Sequence, residues 1–356
     1  MLLTNPIVRR GFAPLVAIVP IAIIAAAFAP ADAASKKQTV TVYTALQAEQ
    51  LPVYEKAFED ANPNIEIEWV RDTAANITRK LVDEKSDPKA DVVWGLNASF
   101  LIQADKAGAL DHYRPTGFDQ IKDDFKDRRT GWPTWVGMDA WADAICFNKT
   151  VARQANLPRP EAWKDLLNPI YKGQIVAPSP SSSDTGYLAV AGWLQTFGDT
   201  GGWDFMDLLN DNVDTYLHAG AKTCAAVATG QYAVGISFAY AGVKLAGNGS
   251  PVEVILPKEG LGWEMEATAV VKGAKHLQAA QAVANFSASA EAGTLYNNYY
   301  QILARKDVTP ILPDNYPDGE EALLISPNDF VAVALKRQAI LSEWEKRYGA
   351  KNAPKS

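Results

Sequence analysis

The sequence predicts an α/β fold divided into two domains. Strand-like and helix-like segments alternate along the chain with short connections, the pattern of helices packed on a largely parallel sheet. The length of 356 residues, with 48% hydrophobic and 21% charged residues, is more than a single core usually holds. Beyond the N-terminal segment no stretch reaches the roughly 18 apolar residues that spanning a bilayer requires.

Each element has its own signal. Thr39-Val40-Thr41-Val42-Tyr43 is rich in β-branched residues and reads as a strand. Leu51, Tyr54, Phe58 and Ala61 recur at helical spacing until Asn62-Pro63-Asn64 stops them. Ile65 to Val70 alternates like a strand, Ile77, Leu81 and Val82 mark a helix, and Asp91 to Gly95 is a short buried strand. A helix over 99–107 has Gly108 in the position that favours a left-handed stop. A second block begins near Met138, with a long strand from Ala140 to Phe147, a short helix at Trp163 to Leu167 and a strand from Gln174 to Ala177. The loop 178–186 leads into a helix through Trp193 and Leu194. Strands follow at 234–237, 252–256 and 266–271, then helices at 277–286 and 330–348.

The N-terminus differs from the rest. Arg9 and Arg10 precede an uncharged apolar run from Phe12 to Pro30, and Ala31-Asp32-Ala33 is a small-x-small pattern. That order is a secretory signal peptide covering residues 1–33, with an uncleaved anchor as the alternative. Export places Cys146 and Cys224 in an oxidising compartment, where they can form one disulfide; the alternative is two buried thiols.

Charge and motifs narrow the function. Thirty-four basic against 41 acidic residues give a net charge of −7, which disfavours nucleic acid and anionic lipid. His112, His218 and His276 stand in no metal pattern, and nucleophile-elbow and phosphate-loop motifs are missing, so no enzyme, metal or cofactor is expected. The prominent local feature is Ser181-Ser182-Ser183-Asp184-Thr185-Gly186 between a strand and a helix. A helix start exposes unpaired N–H groups and partial positive charge, and hydroxyls add donors, so the loop suits a phosphate or phosphonate. Plain helix capping is the competing explanation. Aromatic residues at strand ends, Tyr43, Trp94, Trp141 and Tyr240 among them, serve packing or line a cleft.

Several stretches together resemble a known family. They are Tyr43-Thr44-Ala45-Leu46, Asp91-Val92-Val93-Trp94-Gly95-Leu96, Trp135-Val136-Gly137-Met138-Asp139-Ala140-Trp141, Ala144-Ile145-Cys146, the serine loop and Lys258-Glu259-Gly260-Leu261-Gly262-Trp263. Their order over nearly the whole mature chain is similar to the extracellular solute-binding proteins of bacterial ABC importers, in the branch holding ferric-ion binders. Within it the chain looks like the 2-aminoethylphosphonate-binding proteins. One departure is Asp184, where a glycine is expected.

The resemblance implies a type II periplasmic-binding-protein fold, with two α/β lobes and a ligand cleft between them. Lobe 1 would hold 34–138 and 265–308, and lobe 2 would hold 139–264 and 309–350. It implies a periplasmic, monomeric receptor that binds 2-aminoethylphosphonate by closing and delivers it to an inner-membrane permease. By analogy, Ser182, Ser183, Asp184 and Thr185 would hold the phosphonate. Thr44, Ala45 and Asn97 would add contacts from lobe 1, and His218 an anion contact from a loop. Asp139 beside Trp141, or Glu266, would meet the ammonium group. Tyr240 stands where ferric binders carry a tyrosine pair, here broken to Phe238-Ala239-Tyr240. A ferric-ion or phosphate-ester binder of the same fold, and a secreted phosphonate-processing enzyme, are the alternatives.

Overall fold

The computed structural model describes residues 37–129 and 131–354, together with Gly11. The segment read as a signal peptide lies outside the described residues. No described helix is long and apolar enough to cross a membrane.

The first lobe is built on β1 (Gln38–Thr44), β2 (Ile65–Arg71), β3 (Val92–Asn97) and β9 (Trp263–Val270). The second uses β5 (Ile175–Pro178), β6 (Val213–Leu217), β7 (Val234–Phe238) and β8 (Val252–Ile255). The 13-residue β4 (Val136–Asn148) serves both. Its first half pairs with β9 as far as Ala142, opposite Trp263, and from Asp143, opposite Phe238, it pairs with β7 and β8. The short β10 (Ile302–Leu303) also pairs with β4. The strand order is β2-β1-β3-β9-β4-β7-β5-β6. The sheet is therefore mixed rather than largely parallel. β1, β2 and β3 are mutually parallel, as are β5, β6 and β7, while β9 and β4 run antiparallel to their neighbours because they carry the chain between lobes.

Helices cover both faces, as buried strands require. On lobe 1, α2 (Ala74–Asp83) and α3 (Ala98–Lys106) pack on one face. On the other lie α1 (Leu51–Ala61), α8 (Leu277–Ser287) and α9 (Ala290–Tyr296). Trp94 is the centre of that second core: its ring stacks on Tyr54 at 5.7 Å, and its Nε1 donates to the Tyr296 hydroxyl at 3.0 Å. Burial of so large a side chain is stabilising because its one polar atom finds a partner. Lobe 2 is covered by α4 (Lys149–Gln154) and α5 (Asp184–Asn212), the latter kinked at Gly198, with α6 (Gly220–Ala228) and α7 (Ala239–Gly247) on the opposite face.

Cys146 of β4 and Cys224 of α6 form a disulfide with a Cα–Cα distance of 5.6 Å, within lobe 2. The predicted helix at 163–167 is a 3₁₀ turn. α10 (Glu320–Leu323) precedes α11 (Phe330–Tyr348), whose bounds match the sequence reading. α11 is a strap across both lobes. Phe330 and Ala334 enter the lobe-1 core, while Trp344 and Tyr348 enter that of lobe 2.

Candidate functional site

The acidic candidates come together where β3, β9 and β4 lie side by side. Glu266 of β9 is the register partner of Asn97 on one side and of Asp139 on the other. Both junctions are irregular. The β3–β9 register shifts between Trp94 and Leu96, around Gly95 with φ +77°, and the β4–β9 register shifts between Gly137 and Asp139. Such bulges re-aim side chains. Here the bulge sends Met138 and Asp139 to the same face: Met138 joins the core of α1 and α9, and Asp139 acts on Tyr54 and Tyr296 of those helices. Gly95 has no substitute, since a Cβ there would lie 2.3 Å from Leu46 in a left-handed conformation.

The electrostatics of this floor are unusual. Asp139 is wholly buried and neither carboxylate oxygen has a partner. Glu266 accepts a hydrogen bond from Tyr300 at 2.9 Å through Oε1, while its shielded Oε2 has none. Burial first, and then the neighbouring Glu266 charge, push the Asp139 carboxyl well above the ordinary range. Burial pushes Glu266 up as well, and the Tyr300 bond opposes it. Glu264, two residues back and opposite Trp141, is raised to about 7 by burial, against stabilising bonds from Ser99 and the Met265 N–H.

Trp141, the register partner of Glu264, packs edge-on to Phe238 at 6.1 Å. Tyr240, at the start of α7, donates to the Asn298 carbonyl at 3.2 Å across to lobe 1. Thr44 and Ala45 close the end of β1. The Thr44 hydroxyl accepts from the Leu46 N–H at 3.1 Å, and the Ala45 N–H donates to the Gly95 carbonyl at 3.1 Å.

The serine loop lies in lobe 2, and its helix begins earlier than expected, at Asp184. Ser183 is the cap, accepting from the Gly186 N–H at 3.4 Å. Gly186 is needed because a Cβ there would lie 2.6 Å from the Pro178 carbonyl. Thr185 packs against Gly220 at the start of α6. Exposed Ser182 meets His218 Nδ1 at 2.8 Å, while His218 Nε2 lies 2.8 Å from the Ala353 carbonyl. A carbonyl can only accept, so Nε2 donates its hydrogen to Ala353. Asp184 is paired with Arg337 of α11 at 2.9 Å, so a carboxylate where glycine was expected carries its own counter-charge. The Asp184 charge adds a small upward push on Glu264, after burial.

A profile of the bacterial extracellular solute-binding protein family matches residues 87–331. The chain belongs to that family. Among relatives of this solute-binding protein, a Haemophilus influenzae protein of uncharacterized function is 27% identical over 273 residues, 76% of this chain and 78% of its own. The probable ABC transporter periplasmic-binding protein y4fP of Sinorhizobium fredii is 24% identical over 306 residues, 82% and 78% of the two chains. The periplasmic binding protein AfuA of Actinobacillus pleuropneumoniae, solved with fructose-6-phosphate, superposes with a TM-score of 0.77 at 24% identity, covering 88% of this chain and 99% of its own. That likeness carries the two-lobe fold.

Sequence reading missed Glu264, Tyr300, Phe238 and Arg337 as neighbours of the site. Glu264 was legible, because Trp263-Glu264-Met265-Glu266 alternates and extends β9 backwards. The others reach the site from distant segments and leave no local signal.

Proposed function

We propose that this solute-binding protein is the periplasmic receptor of an ABC importer and that its ligand is 2-aminoethylphosphonate. Its work is capture, closure of the lobes and delivery to a permease, with no covalent step. The observation that carries the ligand reading is the pair Asp139 and Glu266, three of whose four carboxylate oxygens are shielded and without a partner. Buried charge without a partner is costly, and a ligand ammonium would relieve it. Trp141 and Phe238 would flank the same group. The phosphonate would sit at the start of α5, on Ser182, Ser183, Thr185 and the helix N–H groups, with Asp184 neutralised by Arg337. His218 would act through Ser182, and Thr44, Ala45 and Asn97 would bound the cleft from lobe 1.

Isothermal titration of ligand-stripped protein tests this. One-to-one binding of 2-aminoethylphosphonate at micromolar or tighter affinity is expected, with ethylphosphonate and inorganic phosphate weaker by about tenfold or more. Equal affinity for ethylphosphonate would remove the amine from the recognition scheme. Ferric ion is the second reading, because the Tyr240 and Tyr300 hydroxyls and Glu266 are oxygen donors of the kind it takes. Tight binding of ferric citrate with a visible charge-transfer band would replace the phosphonate reading. Conversion of the aminophosphonate during incubation would make the protein an enzyme.

A further inference from the structure

Asp139 and Glu266 are not equivalent. They face each other on neighbouring strands, where opposed Cβ atoms lie about 5 Å apart. Asp139 is the inner group, fully buried, and its charge acts on Tyr54 of α1 and Tyr296 of α9. Glu266 is the outer group, only partly buried, with its Oε1 fixed by Tyr300. Tyr300 in turn accepts from Gln50 Nε2 at 3.3 Å. Glu266 acts on Asp139, the Tyr300 hydroxyl acts on Glu266, and the Asp139 charge acts in turn on Tyr54 and Tyr296. Among the described residues no lysine or arginine influences either carboxyl. Two carboxylates so placed cannot both stay ionised without a cation.

We infer that Glu266 takes the cationic group of the ligand directly, and that Asp139, behind it, carries a proton that the pair surrenders when the cation arrives. The inference rests on the aminophosphonate reading above and deepens it. Each carboxylate is ionised in the complex, the ammonium keeps its own protons, and the proton lost from the pair goes to buffer. Tyr300 is a positioning residue, fixing the Glu266 carboxylate through Oε1. Burial of both carboxyls, which raises their affinity for protons, agrees with this exchange.

Proton release is read from titrations with 2-aminoethylphosphonate at pH 7 in buffers of different ionisation enthalpy, none carrying a primary amine or phosphate. Wild-type protein should release about one proton more than Asp139→Asn, which has no proton to give. Any proton exchanged by the phosphonate itself contributes to both titrations and cancels in the comparison. Glu266→Gln should lose roughly tenfold or more in affinity. The infrared carbonyl absorption of buried carboxylic acids in the unliganded wild type should lose one component in Asp139→Asn, with the Asp143 component remaining. Equal release from wild type and Asp139→Asn, or identical carbonyl absorption in the two, overturns the inference and leaves the receptor reading intact. Failure of every form to bind the aminophosphonate, with a folded protein by circular dichroism, overturns both.

Discussion

Asp143 stands where β4 changes partners, and its carboxylate is fully buried with both oxygens unpartnered. Gly192 of α5 and Gly262 crowd it so closely that a Cβ on Gly262 would lie 3.0 Å from Oδ2. Burial raises the Asp143 carboxyl well above its usual range, and burial likewise lifts Glu264 and Glu320 to about 7. The sign of the consequence follows by linkage. A carboxyl whose pKa is raised by folding holds its proton better in the native state, so its contribution is complete below the unfolded value near 4 and is lost as pH rises to about 7. Unliganded protein should therefore melt several degrees lower at pH 8 than at pH 5.5. Asp143→Asn should remove part of that difference, because a neutral amide suffers no ionisation at pH 8. A melting temperature that rises with pH across this window would contradict the assignment.

Among elements, α11 carries the argument that no single residue does. Arg337 pairs with Asp184, lies 4.0 Å from the centroid of Tyr187 on lobe 2 and 4.8 Å from that of Phe100 on lobe 1. It therefore bridges the lobes and shields the serine loop from its own carboxylate. Arg337→Ala should cost about 1–2 kcal/mol in stability through lost stacking and pairing. It should also lower phosphonate affinity several-fold, because Asp184 would then repel the anion. Adding Asp184→Asn should restore affinity without restoring stability, a separation that a double-mutant cycle measures directly. Sequence alone placed α11, since a 19-residue amphipathic run is a local signal. Its partners were hidden, because Asp184 lies 153 residues away and nothing near either residue announces the pair.

At the scale of the molecule, the lobes are joined by covalent crossings and by side-chain contacts between them. The Tyr240 bond to the Asn298 carbonyl joins α7 of lobe 2 to the segment after α9 of lobe 1. Tyr240→Phe should weaken ligand binding by a few-fold, in line with a net hydrogen bond of about 1 kcal/mol. The faster dissociation should be visible in stopped-flow fluorescence of the cleft tryptophan. The disulfide acts elsewhere. It closes a sequence separation of 78 residues inside lobe 2, in an apolar cluster with Val176, Val227 and Val252. Its removal by Cys146→Ala with Cys224→Ala should lower stability by about 2–4 kcal/mol. Ligand affinity measured below the melting transition should stay unchanged.

What the sequence by itself determined is local or periodic. The strand and helix order of lobe 1, the stop at Gly108, the length of α11 and the serine loop between strand and helix all follow from patterns a few residues long. α6 and α7 escaped this reading because their small, weakly patterned residues, as in Gly220–Ala228, give little periodic contrast. The mixed sheet, the transfer of β4 from one lobe to the other at Asp143, and the meeting of Asn97, Glu266 and Asp139 were decided only in three dimensions. The reason is physical: the side-chain pattern of a strand is the same whether its neighbour is parallel or antiparallel. The partner is chosen by the cheapest joint burial of segments more than a hundred residues apart, and that choice brought two carboxylates together without a cation.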